Sequence, residues 1–427
     1  MLLCGLLSVL CMLALGGLAQ DASAAKITVR TQSGFHLAVK KLRTNGGVII
    51  LQAGRYGNLS VGPRSPRWLT VRARPGVTVN HLGLNRTRAV RIVGVRVKPG
   101  SRGSLLNVVS SRNVKLDRVR VTAAGSSLFS RMVVAGSHHV TISRSEFTRC
   151  GENREACLST GWGAWRSSYV RILATRFHDC YGCDFIRGHI GRSLTIRGST
   201  FDRAVPGPCG TAWECNHQDA VQISAGNGIL IERNRFGLTA VGAGQLYISG
   251  HVSRLTIRNN VFFGTDAAFP DWIGWAAIVL GHHRDDEPHV PLRAVVVNNT
   301  ILTGSPRPDG WTNSVFATPS YANVPQEERP VLANNVLGVV GTPERLCPLL
   351  NVSSRNVMRE GTACSETDAV ADPALEEDGY PLEHAPGIDQ ADPSWATPQD
   401  IRGVPRDEAP DIGAFEFVRP PSSTGAG

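Results

Sequence analysis

Val170-Arg-Ile-Leu-Ala-Thr-Arg-Phe177 and Leu194-Thr-Ile-Arg-Gly-Ser-Thr-Phe201 share one pattern: apolar residues at the first, third and eighth places, with polar or turn-prone residues between. The same pattern stands at Val90-Arg-Ile-Val-Gly-Val-Arg-Val97, Val114-Lys-Leu-Asp-Arg-Val-Arg-Val121 and Val140-Thr-Ile-Ser-Arg-Ser-Glu-Phe147. It returns at Ile229-Leu-Ile-Glu-Arg-Asn-Arg-Phe236, Leu255-Thr-Ile-Arg-Asn-Asn-Val-Phe262 and Val295-Val-Val-Asn-Asn-Thr-Ile-Leu302, with a period of roughly 24 to 30 residues that lengthens where loops are inserted. Alternation at period two followed by a bend and another inward residue describes a strand and a corner, not a helix.

A second short apolar strand ending in glycine precedes most cassettes, as in Met132-Val-Val-Ala-Gly136, Leu158-Ser-Thr-Gly161, Phe185-Ile-Arg-Gly188, Leu246-Tyr-Ile-Ser-Gly250 and Ile278-Val-Leu-Gly281. Two or three strands per coil, stacked coil on coil, pair every backbone amide with the rungs above and below and bury a continuous Val/Ile/Leu/Phe column. The expected fold is all-β, a single-stranded right-handed parallel β-helix solenoid with a short N-terminal capping helix. Asn259-Asn260 and Asn298-Asn299 suit stacked amide ladders and left-handed bends. The 42% hydrophobic and 19% charged content supplies apolar surface, and 45 Gly and 25 Pro imply many turns.

The uncharged apolar run from Met1 to Ala19, followed by Asp21-Ala22-Ser23-Ala24-Ala25, reads as a signal peptide over residues 1–25; an uncleaved anchor is the alternative. The expected organisation is a cap and first coil over 26–62, repeats over 63–345, C-terminal coils and cap over 346–418, and a disordered tail over 419–427. Ser33 to Arg43 reads as an amphipathic helix with Ser33 as N-cap and Gly46-Gly47 as its stop. Besides Cys4 and Cys11, eight cysteines remain, an even number that in an exported chain favours disulfides. The expected pairs are Cys150 with Cys157, Cys209 with Cys215, and Cys347 with Cys364. Cys180 and Cys183 have the spacing of a redox motif or half a zinc site, without the second CxxC or the βαβ pattern either needs.

The formal charge of +10 favours an anionic partner. Lys and Arg recur at alternating positions with no contiguous basic run, the pattern of solvated strand faces rather than of a nucleic-acid arm.

The helix followed by Gly46-Gly47, an apolar strand and Gly54-Arg-Tyr56 resembles the N-terminal cap of pectate-lyase-like β-helix proteins. Asp372-Pro373, His384-Ala-Pro-Gly-Ile-Asp389 and Pro410-Asp-Ile-Gly-Ala-Phe-Glu416 resemble the terminal segment of many exported bacterial β-helix proteins. The resemblance covers nearly all of 26–417. It implies a carbohydrate-active protein, a polysaccharide lyase or glycoside hydrolase acting on an acidic or decorated glycan; with the leader, the expected location is secreted or cell-surface, and the expected state is a monomer. A non-catalytic glycan-binding or adhesive solenoid is the alternative.

Cys183-Asp184-Phe-Ile-Arg187 and Gln218-Asp219-Ala-Val-Gln222 begin strands of consecutive coils, so Asp184 and Asp219 should stack as a carboxylate pair on an open flank, with Arg187 and Gln222 beside them. Two close acids push one pKa up and supply an acid and a base. The plainer reading makes Asp a turn cap and Gln a member of an amide ladder. Candidate catalytic residues are Asp184, Arg187, His217, Asp219, Gln222 and His251; in a lyase, Arg187, His217 or His251 takes the proton. Candidate substrate-binding residues are His189, Tyr247, His282 and the tryptophans Trp162, Trp165, Trp213, Trp272 and Trp275. Ca²⁺ is a conceivable cofactor, held by Asp184 and Asp219 or by Asp285, Asp286 and Glu287. The expected partner is a polysaccharide, with no nucleic acid and no membrane span after the leader.

Overall fold

The computed structural model describes residues 24–63, 67–98, 105–123, 132–151, 156–205, 219–237, 244–263, 276–281, 290–302, 313–340 and 343–419. The predicted Cys209–Cys215 pair lies outside them.

Among the described residues 32 strands join into one sheet whose named pairings are all parallel. The cassettes from Val90 to Leu255 stack in register, and the last is offset by one residue: Thr256 pairs with Val295 and Phe262 with Ile301, so Ala294 and Ile301, not Val295 and Leu302, hold its first and last inward places. Val140 pairs with Val170, Val170 with Leu194, and Leu194 with Ile229. The chain is therefore a parallel β-helix, and each coil contributes to three ladders. The first holds Val90, Val114, Val140 and Val170. After a tight bend, the second holds Phe147, Phe177, Phe201, Phe236 and Phe262. The third holds Leu106, Met132, Leu158, Ile186, Val221, Leu246 and Ile278. The five phenylalanines stack with centroids 4.6 to 5.2 Å apart and planes within 8°, a packing set by the rung spacing.

The bend between the first two ladders explains the cassette's middle residues. Its corner residue has a left-handed backbone, with φ of 52° at Asn259, 51° at Asn298 and 55° at Asn334. The next residue faces inward and bonds along the stack. Asn234 donates its backbone N–H and Nδ2 to Asn260 Oδ1, Asn260 to Asn299, Asn299 to Asn335, and Asn335 to Asn356. The ladder starts on hydroxyls, with Val119 donating to Ser145 and Thr175 to Ser199. Another serine ladder, Ser111, Ser137 and Ser167, closes the corner after the third ladder.

The helix spans Gln32–Lys41, with Thr31 rather than Ser33 as its N-cap. Thr31 Oγ1 accepts the Gly34 N–H at 3.1 Å, while the Ser33 hydroxyl meets Thr31 Oγ1. Phe35, Ala38 and Leu42 are buried and cover the open end of the first coil. No helix among the described residues is long and apolar enough to cross a membrane.

Residues 372–419 lie along the bend edge. Arg233 and Asn259 both bond Gln399, Asn298 bonds Thr397 and Asp411, and Asn334 bonds Asp392. Within this segment the Arg406 guanidinium is buried against Glu416 and donates to the carbonyls of Asp411, Gly413 and Phe415. Burial raises the Asp411 carboxyl to about 6.

Candidate functional site

The strand Ile186–His189 of the third ladder alternates inward and outward: Ile186 and Gly188 are buried, Arg187 and His189 half-exposed. In-register neighbours extend the outward row from Ser159 through Arg187, Gln222 and Tyr247 to Val279 and Phe316. Rungs about 4.8 Å apart put Arg187 and Gln222 within reach of one sugar chain. Tyr247 is nearly buried, packed with Ala276, Val279 and Phe316.

The second outward row is created by a bulge. Pairing shifts between Gly188 and His189 and again between Ile223 and Ala225, which brings His189, Ala225 and His251 into line. His189 and His251 therefore stand two rungs apart, about 10 Å. Gly250 makes this possible: a Cβ there would lie 1.9 Å from the Ser224 carbonyl oxygen, so only glycine lets the two strands approach. Each bulge-row histidine directly follows a glycine in sequence, the signal that alternation alone conceals.

Asp184 and Asp219 stack as expected, but underneath the surface. Asp184 is 1% exposed and Asp219 0%, so neither stands on an open flank. Their position two residues before the strand is a corner, where alternation does not fix the side-chain direction. Asp184 Oδ1 accepts the Asp219 N–H at 2.9 Å, and Asp219 Oδ1 accepts the Gly244 N–H at 3.1 Å. Each carboxylate thus caps the backbone of the following rung, as in the plainer reading. Asp184 Oδ2 takes Nε and Nη2 of Arg187 at 3.0 and 2.7 Å, fixing the guanidinium on the outer face. Gln222 stands between Arg187 and Tyr247, and the amide ladder runs at the bend instead.

Burial, reinforced by the charge of Asp184, raises the Asp219 carboxyl well above its usual value. Folding therefore favours the protonated form. The stability this residue contributes is present in acid and declines as pH rises from the ordinary carboxylate range toward the raised value. Asp219→Asn keeps the acceptor for Gly244 and removes the titration. The expected outcome is equal or higher stability at pH 7 and a flatter pH dependence, read from thermal melts between pH 4 and 8. A variant much less stable than the parent at pH 7 would contradict a raised Asp219 pKa.

Two exposed aromatic residues lie on the turn that reaches the His189 strand, with the Trp165 ring over Gly136. Trp162 and Trp165 are 46% and 51% exposed, in a turn closed by Trp165 N–H to Trp162 C=O at 2.8 Å. At Gly161 that turn approaches the His189 strand: a Cβ would lie 2.7 Å from the Trp165 carbonyl oxygen and 2.8 Å from that of His189. Burial first, and the charges of Arg166 and Arg187 after it, lower the His189 pKa, so its imidazole is neutral at neutral pH. His251 is exposed on the same row.

The carboxyl pair does not suit Ca²⁺. Asp184 is occupied by a guanidinium and a backbone N–H, and Asp219, fully buried, is capped by the Gly244 N–H. Among the described residues one group of three potential ligands gathers, Cys157, Cys180 and Cys183. These cysteines are bridged as Cys150–Cys157 and Cys180–Cys183, on adjacent rungs in register at Cys150 and Cys180. The Cys180–Cys183 bridge takes both thiolates from the zinc reading of that motif, and Cys347–Cys364 forms as expected. The Cys180–Cys183 bridge ends directly before Asp184, and Cys157 on the preceding rung donates its N–H to the Asp184 carbonyl at 2.8 Å. His217, Trp213, Trp272, Trp275, His282, Asp285, Asp286 and Glu287 lie outside the described residues. Their segments, 206–218, 264–275 and 282–289, connect at the ends of the third-ladder strands.

No protein-family model matches the chain, and no curated protein sequence matches it. Among solved structures, the PL6 family alginate lyase AlyGC matches 88% of this chain at 14% identity and a TM-score of 0.49; the chain spans 60% of the length of that enzyme. A PL6 family polysaccharide lyase from Pseudopedobacter saltans matches over 87% of this chain and 100% of its own, at 15% identity and a TM-score of 0.49. The surface adhesin PfbA of Streptococcus pneumoniae matches over 70% of this chain and 88% of its own, at 15% identity and a TM-score of 0.46.

Proposed function

We propose that the chain acts outside the cell or at its surface on an acidic polysaccharide, cleaving it by elimination on the outer face of the third ladder. One observation carries the reading. A fixed cation, Arg187, and a histidine kept neutral, His189, stand two residues apart on one outward strand face. Elimination beside a uronate carboxylate needs both: a cation to hold the carboxylate and a base to take the neighbouring proton. His189 takes the C5 proton, its electron pair forms the C4–C5 double bond, and the C4–O bond breaks. The proton passes to the leaving oxygen. Gln222 lines the path of the chain, Trp162 and Trp165 offer apolar faces to sugar rings, and His251 stands two rungs along. Export is supported by the apolar leader and by the disulfides.

Hydrolysis by Asp184 and Asp219 fits poorly, because carboxyls that flank a scissile bond must reach it and these two are buried beneath their own backbone caps. The same burial favours a second reading, a non-catalytic glycan binder. Incubation with polyuronates distinguishes the three. The expected result is an unsaturated product absorbing in the ultraviolet, with activity falling below the usual histidine pH range as His189 protonates. Reducing ends without unsaturation would establish hydrolysis, and retained binding without product would establish the binder.

A further inference from the structure

Charge is strongly segregated along the solenoid. Residues 26–145 carry 22 Lys and Arg and a single acid, Asp117, whereas residues 146–427 carry 23 Lys and Arg against 33 acids. Because the cations alternate with inward apolar residues, no contiguous basic run announces this; stacking the rungs collects them. On the bend between the first and second ladders, Arg72, Arg74, Arg96, Arg118, Arg120 and Arg144 line a trough of about 660 Å³. The two acids there are already engaged. Asp117 is buried and bound by Arg91, Arg118 and Arg144, and Glu146 is bound by Arg120 and His178. Arg72, Arg74 and Arg96 are exposed and make no ion pair among the described residues.

Later rungs present the same edge differently. From Arg233 onward the bend is covered by residues 372–419, so the open basic trough is confined to the N-terminal rungs. It lies on a different edge from Arg187 and His189, which face outward from the third ladder.

We propose that this trough is a second, non-reacting site that holds an acidic polysaccharide along the N-terminal rungs. Arg96 and Arg120 are in-register neighbours, which sets guanidinium groups at the rung repeat of about 4.8 Å, a spacing on the scale of one charged sugar ring. Guanidinium forks match carboxylate or sulfate groups in two-point contact. Among the described residues no aromatic side chain lines the trough, so they supply none of the stacking surfaces on which single-stranded nucleic acid binds. The site stands whether or not the flank around His189 reacts, because binding there is measured without turnover.

The test uses the whole protein with alginate and polygalacturonate as probes, dextran as the neutral control and duplex DNA as a competitor. Arg72→Glu with Arg96→Glu is expected to weaken polyuronate binding about tenfold or more at low salt, and the Gln pair to weaken it less. Dextran binding and turnover of a short oligouronate should stay unchanged. The exposed Gln pair keeps the measurement sound if charge reversal lowers the melting temperature. Unchanged polyuronate affinity in both pairs would overturn the proposal. So would tighter binding of duplex DNA than of polyuronate at matched salt, or a protein dimer that the same variants dissolve while polysaccharide binding is nil.

Discussion

Phe201→Ala is expected to destabilise the middle of the solenoid by about 3–5 kcal/mol, the range for removing a fully buried phenylalanine. Phe201 has no exposed surface and stacks on Phe177 at 5.2 Å and Phe236 at 4.8 Å, with Phe185 tilted against it at 6.0 Å. Neighbouring rungs are pinned by backbone ladders and cannot close over the gap, so the cavity stays open. Phe201→Leu, which keeps most of the volume, should cost under about 1.5 kcal/mol. In a solenoid each rung contacts its neighbours, so the loss should be local. Hydrogen exchange resolved by segment should show lost protection over roughly 177–236 and little change near Val90. Uniform loss along the whole chain would refute nearest-neighbour coupling.

Arg187→Ala is expected to act twice. It removes the cation that would hold the substrate carboxylate, and turnover of polyuronate should fall by about 100-fold or more. It also strands Asp184, whose side chain is wholly buried. That should cost roughly 2–3 kcal/mol, less than for a fully buried pair because the guanidinium is 40% exposed and Asp184 keeps its bond from Asp219 N–H. Combining Arg187→Ala with Asp184→Asn separates the two effects. The double variant should regain most of the stability and none of the activity, read by urea denaturation and by ultraviolet absorbance of product. Recovery of turnover in the double variant would show that Arg187 matters only as a partner for Asp184.

The coil was legible because its information is periodic. Val170, Ile172 and Phe177 repeat as Leu194, Ile196 and Phe201, and no other stacking buries all three. Matching strand starts likewise placed Asp184 above Asp219 and Arg187 beside Gln222. What sequence did not convey was direction at corners and small shifts of register. Asp184 precedes its strand by two residues, where no alternation applies, and it turned inward. The His189 and His251 row depends on a bulge whose only trace is a glycine before each histidine. Thr31 and Ser33 are both good caps two residues apart, and backbone geometry chose the first. The basic trough leaves no mark in the linear sequence because its arginines are distant in sequence and adjacent only between rungs.

Residues 372–419 bond to positions more than a hundred residues upstream, Arg233 to Gln399 and Asn298 to Asp411 among them. Early rungs need only the coil beside them, so they can form while the rest of the polypeptide is still emerging. Rungs from about 233 onward gain their outer partners only when residues 372–419 arrive, which imposes an order of assembly: a head that matures early and later rungs that wait for that distant segment.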